Sequence, residues 1–177
     1  KKNGGKLNYG STGIGSGSHL AMELFKSRTG TDMTHIPYTG AGPMAAEVMA
    51  GRIDLAFATL PSVLGQIKEG RMRALAVAST GRAPQLPDVP TLKEQGVTDS
   101  EADSWLAFFA PAATPEAARR KLSDAILKAL ARPQVAEGIV KLGFAPQARD
   151  PAAFAAYHAD EMKKWDAVIK AARVEAQ

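Results

Sequence analysis

Three times in the first eighty residues, a short apolar run is followed by a turn and then an amphipathic stretch, and a fourth apolar run closes the series. Leu7 to Ser11 reads as the first strand. In Leu20 to Arg28, residues Ala21, Leu24, Phe25 and Arg28 share one helical face, with Arg28 long enough to carry its charge to water. Gly30 stands where that helix should stop. Met33 to Tyr38 is a second strand, and Thr39-Gly-Ala-Gly-Pro43 turns into a helix whose apolar face is Met44, Val48 and Met49, stopped by Gly51. Ile53 to Ala58 is nearly all apolar, as a strand buried on both faces would be. Thr59-Leu-Pro61 opens a third helix with Val63, Leu64 and Ile67, closed by Gly70, and Ala74 to Ala78 is a fourth strand. Repeated strand–helix winding predicts an α/β fold: a parallel sheet with right-handed crossovers and flanking helices.

The rhythm changes after Gly81. Pro84, Pro87 and Pro90 make an extended connector. Thr91-Leu-Lys-Glu94 has the spacing of a capping box before a short helix ending at Gly96. Ser104 to Pro111 reads as a further strand bearing Trp105, Phe108 and Phe109. Thr114 is placed to cap a helix with Pro115 at its first position. Leu122, Ala125, Ile126, Ala129 and Leu130 then keep the spacing of one helical face. Pro133 restarts a helix with Val135, Ile139 and Leu142, Phe144 to Ala148 reads as a short strand, and Asp150-Pro151 opens a long last helix.

The chemistry centres on Gly10-Ser-Thr-Gly-Ile-Gly-Ser-Gly-Ser-His19, a strand-to-helix turn rich in glycine and hydroxyls. Glycine lets the backbone approach a ligand, and a helix N-terminus offers unpaired N–H groups with partial positive charge, so the stretch is a candidate anion cup. Either Ser16 or Ser18 can cap the helix. Gly10 and Gly15 have the spacing of a nucleotide P-loop, but Ser16 stands where the lysine is needed. Gly13 and Gly15 begin a dinucleotide fingerprint, but Ser18 replaces its third glycine. A carboxylate held by amides and hydroxyls fits best; the alternative is a glycine turn that holds nothing. The turns at 38–42, 58–61 and 79–81 would converge with it at the carboxyl edge of the sheet, where ligands bind in such folds.

Composition narrows the classes. With 177 residues, 45% hydrophobic and 23% charged, the chain can build a core of one or two domains. The net charge of +4 is scattered, without basic runs interleaved with aromatics, so nucleic acid is not expected as a partner. The absence of cysteine removes disulfides and thiolate chemistry, and three histidines without carboxylate spacing argue against a metal; no cofactor is expected. No stretch is apolar enough to span a membrane. The chain opens at Lys1 without a signal-peptide pattern, which reads as a processed or trimmed product.

The order of several motifs resembles the substrate-binding proteins of tripartite tricarboxylate transporters, the Bug-type periplasmic receptors. The residues that carry it are Lys6 to His19, His35-Ile-Pro-Tyr-Thr-Gly40, Arg73-Ala-Leu-Ala-Val77, Leu86-Pro-Asp-Val-Pro-Thr91, Ser104-Trp105, Phe109-Ala-Pro-Ala112 and Thr114-Pro115. The resemblance implies a two-lobed type II periplasmic-binding-protein fold, with residues 1–101 a complete ligand-binding lobe and 102–177 the C-terminal part of the other, whose N-terminal part is missing. It also implies periplasmic location, a small carboxylate ligand and membrane permease subunits as partners. Carried over by position, the ligand-facing residues are Ser11, Thr12, Gly15, Ser16 and His19, then Tyr38, Thr39 and Gly40, then Ala58 and Thr59 on the third loop. Members often have Asp-Asn at that third position; its replacement here turns the expectation from amino acids to plain carboxylates. Trp105 is either a cleft-lining residue or a packing residue between lobes. His19 is either a ligand group or bonded to a backbone carbonyl; His35 and His158 read as structural.

Three functions follow as expectations. The first is a solute receptor for a small carboxylate. The second, an enzyme on the same fold, is disfavoured because Gly-x-Ser-x-Gly is absent and Ser18 and His19 are adjacent, poorly placed to pair. The third is an interaction or sensing module that binds no ligand of its own. The apolar stripes of the C-terminal helices lead to the further expectation that the chain self-associates through Ala117 to Ala172, exchanges this segment with a neighbour, or loses order there.

Overall fold

The computed structural model describes residues 5–175. Three strands, β1 (Asn8–Ser11), β2 (Thr34–Pro37) and β3 (Leu55–Ala56), form a parallel sheet in the order β2-β1-β3. Between and after them lie helices α1 (Gly17–Thr29), α2 (Ala41–Met49) and α3 (Leu60–Lys68). The remaining helices are α4 (Glu116–Leu130), α5 (Pro133–Lys141) and α6 (Pro151–Ala172). The expected parallel α/β architecture with flanking helices is therefore present. The chain divides into two compact units: Lys1–Ser104 with Trp165–Gln177, and Trp105–Lys164.

Glycines stop the helices where the sequence put them. Gly30 takes a left-handed conformation (φ +58°), and its amide returns to the Lys26 carbonyl. Gly51 and Gly70 follow α2 and α3 at φ +68° and +71°. The capping box is complete: Thr91 N donates to Glu94 Oε2 at 2.6 Å, and Glu94 N donates to Thr91 Oγ1 at 3.0 Å. Arg82 holds the same carboxylate through Nε at 3.1 Å, and these bonds draw the Glu94 pKa down to about 2. Arg28, expected to reach outward, donates from Nε to the Asp99 carbonyl at 3.0 Å.

The sheet has three strands rather than four. Ala74–Ala78 forms no strand; only Val77 makes a parallel bridge, donating to the Pro90 carbonyl while its own carbonyl accepts from Leu92, each at 2.9 Å. Leu75 is well exposed, so this run is not the buried strand its apolar content suggests. Ile53 to Ala58 contributes only Leu55 and Ala56 to the ladder. Neither 104–111 nor 144–148 is a strand, because no partner strand lies alongside to accept their backbone bonds. At α4 the N-cap is Pro115 with no side-chain cap bond, so Thr114 does not cap it. Asp150 does cap α6, its Oδ1 accepting from Ala153 N at 2.8 Å.

Strand β1 is the axis of the first unit, and its two faces do different things. Tyr9, fully buried, packs with Met22 of α1 and with Met33, flanked by Leu7, Phe25, Leu55 and Phe57. Gly10 points the other way, as alternation requires. A Cβ on Gly10 would lie 2.4 Å from Ile53 Cδ1, 3.0 Å from Met44 Cγ and 3.4 Å from the Tyr38 ring. Ile53 and Met44 are themselves buried, so neither has free space to swing into. Gly10 is thus a packing glycine: its missing side chain is what lets α2 and the β3 approach close on the strand. Gly10→Val should lower stability by about 1–3 kcal/mol, the usual cost of overpacking a filled core. The check is the urea midpoint, and an unchanged midpoint would count against this reading.

In the second unit Trp105 stands edge-on to Phe154, Tyr157 and His158, with centroids 5.6, 6.2 and 5.9 Å away. Phe109 meets Phe154 and His158 at 5.8 and 6.3 Å, and the Arg149 guanidinium lies 4.0 Å over the Tyr157 ring. Helices α4 and α5 bury no residue.

Candidate functional site

Because all three strands run in parallel, the turns that follow them leave the same edge of the sheet. The turn after β1 is the most elaborate. Ser16 is the N-cap of α1, its Oγ accepting from His19 N at 3.4 Å and donating to the Gly13 carbonyl at 2.6 Å. Gly13 (φ +135°) and Gly15 (φ +73°) make the bend, conformations that L side chains rarely adopt. No acidic residue lies in the first turn of α1, so the positive end of its dipole is not neutralised locally.

The loop engages many of its own amides. Thr12 N donates to Ser18 Oγ at 2.9 Å, Gly13 N to Ser11 Oγ at 3.2 Å, and Gly15 N to His19 Nδ1 at 3.1 Å. The Ser18 hydroxyl also lies 3.0 Å from both Thr12 Oγ1 and Ser16 Oγ, which makes it the hub of the turn. The sequence offers Ser18 as a cap and as a poorly placed partner for His19, not as a hub; the hint was its spacing of two from Ser16 in a first helical turn. The loop's own hydrogen bonds leave out the amides of Ile14, Gly17 and Ser18. Ile14, Gly15 and Gly17 are exposed.

Beneath the loop is a stack of three rings. His35 of β2 lies face to face with Tyr9 at 4.9 Å and with His19 at 3.8 Å, the two imidazoles tilted by only 10°. The ladder explains it: Tyr9 pairs with His35, so both side chains emerge on the face that α1 covers. Tyr9 Oη donates to Glu23 Oε1 at 2.5 Å, Lys26 Nζ donates to the same oxygen at 2.8 Å, and His19 Nε2 is 3.9 Å from it. Burial opposes ionisation of Glu23, but the Lys26 and Tyr9 bonds outweigh it and hold the carboxyl below its usual range. Burial, helped by Glu23, pushes the Tyr9 phenol well above its usual pKa. Burial lowers both imidazoles, His35 to about 4, so both are neutral at neutral pH. An open depression of about 460 Å³ adjoins the stack, lined by Ile14, His19, Glu23, Lys26, His35 and the end of α6.

The predicted residues divide as follows. Ser11, Thr12, Gly15, Ser16 and His19 share one hydrogen-bonded network. His19 accepts a backbone amide there rather than donating to a carbonyl. Tyr38 joins that network through the backbone, its N–H donating to the Ser11 carbonyl at 3.0 Å. Thr39 is exposed, and Gly40 (φ +118°) is the N-cap of α2. Ala58 is half-buried; Thr59 is the exposed N-cap of α3, its Oγ1 donating to Ser62 Oγ at 3.2 Å. Trp105 belongs to the other unit. A serine–histidine pair that the sequence spacing hid does exist, Ser11 Oγ to His35 Nε2 at 2.6 Å. Ser11 is completely buried and its one hydroxyl proton goes to the Gly13 carbonyl at 3.0 Å, leaving the oxygen to accept from His35 Nε2, so the pair holds the turn rather than presenting a nucleophile. Among the described residues, no cluster of three histidine, aspartate or glutamate side chains could hold a metal.

Comparison with known proteins bears on what this turn serves. The family profile described as the tripartite tricarboxylate transporter family receptor matches residues 1–174. A UPF0065 protein from the tcbD-tcbE intergenic region of Pseudomonas sp. strain P51 is 36% identical over 99% of this chain and 53% of its own length. Protein BugT of Bordetella pertussis is 33% identical over 94% of this chain and 51% of its own. Among solved structures, R. palustris Rpa4515 with adipate superposes with a TM-score of 0.87 at 31% identity, covering 98% of this chain and 58% of that one. MatC (Rpa3494) from Rhodopseudomonas palustris with bound malate gives 0.78 at 28% identity, over 94% and 58%. The periplasmic binding protein BugD gives 0.81 at 31% identity, over 99% and 60%. The chain thus spans about half the length of these two sequence relatives. With the profile running through nearly all of its described residues, the chain belongs to the tripartite tricarboxylate transporter receptor family.

Proposed function

We propose that this chain binds a small carboxylate at the turn between β1 and α1, and serves a periplasmic receptor that hands the ligand to the membrane permease of a tripartite tricarboxylate-type transporter. The observation that carries the reading is the turn itself: at the carboxyl edge of a parallel sheet, it leaves the Ile14, Gly17 and Ser18 amides outside its own bonds at an uncompensated helix N-terminus. Such donors suit a carboxylate, which needs hydrogen bonds and partial positive charge more than a fixed cation. The third turn presents Ala58 and Thr59, with no carboxylate to hold a ligand amine. Relatives solved with adipate and malate agree with a dicarboxylate. The proposed role is binding without turnover, consistent with the burial of Ser11.

Calorimetry with adipate and malate tests it, on this chain and on a version extended to the length of its relatives. Gly17 is the position to vary, because a side chain there meets nothing within 4 Å, whereas Gly15 at φ +73° would add backbone strain. Gly17→Leu should weaken carboxylate binding by about tenfold or more, roughly 1.4 kcal/mol, while leaving the urea midpoint in place. Unchanged affinity would remove the turn from the binding site. A second reading, an interaction module without ligand binding, draws on the exposed Leu106, Phe108 and Phe109. Absence of heat with either acid on both versions would favour it.

A further inference from the structure

We propose that His19 is a positioning residue for the ligand turn and works as a proton-operated latch, its Nδ1 accepting the Gly15 amide so that a proton on that nitrogen sets the amide free. An amide N–H only donates, so the 3.1 Å contact requires Nδ1 to be bare. The single proton of the neutral ring then sits on Nε2, the nitrogen 3.9 Å from Glu23 Oε1. Protonating Nδ1 turns an acceptor into a donor and leaves two donors facing each other. The Gly15 amide must then turn away, and a glycine with open space beside it can do so.

The surroundings of His19 set the sense of the switch. From its own helix it faces Glu23, which favours the charged ring, and Lys26, which opposes it. From β1 it faces the Tyr9 ring, and from β2 the stacked His35, which is tied to Ser11. The end of α6 brings Arg173 and Glu175 to the same depression. Burial dominates, so the ring gains its proton at lower pH than an ordinary imidazole. His35, held at about 4, remains neutral above that value, and a charge on one ring of the stack discourages charge on the other. The Thr12 and Gly13 amides are held by serine hydroxyls instead, Gly13 N by Ser11 Oγ, whose own imidazole partner is His35.

The consequence for ligand rests on the reading of the turn as a carboxylate site. Acid frees one more amide and adds positive charge nearby, so both effects strengthen carboxylate binding as pH falls, and by reciprocity a bound carboxylate raises the His19 pKa.

The test is NMR of the ¹⁵N-labelled chain from about pH 8 to about pH 5, the range in which imidazoles titrate. The Gly15 amide should shift with an inflexion shared by the His19 ring, while the Thr12 and Gly13 amides do not follow it. His19→Phe, which keeps an aromatic ring on His35, should abolish the inflexion; His35→Phe should keep it. A flat Gly15 resonance in the unmodified chain overturns the latch whether or not either variant folds, as does an inflexion that survives His19→Phe. Adipate calorimetry at the two ends of the range should show affinity rising about fivefold toward acid, the low end of usual coupling between sites. Adipate that binds at neither pH, with Gly15 still titrating, would sink the carboxylate reading and leave the latch standing. Adipate that binds equally at both, with Gly15 flat, would do the reverse.

Discussion

In light scattering at micromolar concentration, this chain should run as dimers or larger assemblies rather than as monomers. The reason lies in its second unit. Leu106, Phe108 and Phe109 are 82, 80 and 72% exposed, and Leu122, Leu142 and Met162 add to the bare apolar surface. Monomers seldom leave such side chains together in water. Each one buried contributes roughly 1.5–3 kcal/mol. Three to six of them offset an association cost of about 4–15 kcal/mol. Replacing Leu106, Phe108 and Phe109 together by serine should return the chain to monomers without loosening the first unit, whose core they do not enter. A wild-type monomer throughout the micromolar range, with protected amides along α4 to α6, would refute the prediction and show that the helices need no further cover.

Tyr9→Ala should cost about 3–5 kcal/mol, the usual toll of emptying a buried aromatic site. That is a large part of the roughly 5–15 kcal/mol by which domains are stable. Tyr9 lies at the meeting of β1, α1 and the histidine stack, so the cavity would open beside both core and turn. Tyr9→Phe separates packing from polarity: it keeps the ring and removes only the bond to Glu23, for about 1–2 kcal/mol. The two variants also differ from wild type in alkali. The folded-state pKa of Tyr9 is raised, so its contribution is complete below the ordinary phenol pKa of about 10 and is lost as pH rises beyond it. Tyr9→Phe should therefore flatten the alkaline arm of stability against pH. Urea melts from about pH 8 to about pH 11 measure this, and an identical alkaline slope in wild type and Tyr9→Phe would contradict it.

What could be read from the sequence was whatever is decided locally. Gly30, Gly51 and Gly70 mark helix ends because only glycine takes their backbone angles without strain. Thr91 and Glu94 make a capping box because their spacing alone brings each side chain to the other's amide. The missing fourth strand is a non-local failure: Ala74 to Ala78 has the content of a strand, but an apolar run does not specify a partner, and only Val77 finds one. The same applies to the site. The glycines and hydroxyls of the turn were visible as a cluster in the chain. The His19–His35 stack was not, because it depends on the ladder setting Tyr9 opposite His35, and a slip of one residue would have turned His35 to the far face. Gly10 was assigned to the turn on composition, and its role as a packing glycine follows from the arrival of Met44 and Ile53, which no nearby residue announces.

The two compact units are nested along the chain. The first is made of Lys1–Ser104 and Trp165–Gln177, and the second occupies the stretch between. In folding terms the second unit is a loop that the first must close before the end of α6 can reach the depression beside the first turn. The entropy of that closure grows with the logarithm of loop length and shrinks once the loop is itself folded. Loosening the helices of the second unit would thus be felt as slower assembly at the opposite end of the sequence, around His19 and His35. During synthesis β1 to β3 can pair as soon as residue 56 is available, while the ring stack gains its last neighbours, Arg173 and Glu175, only when the chain is almost finished.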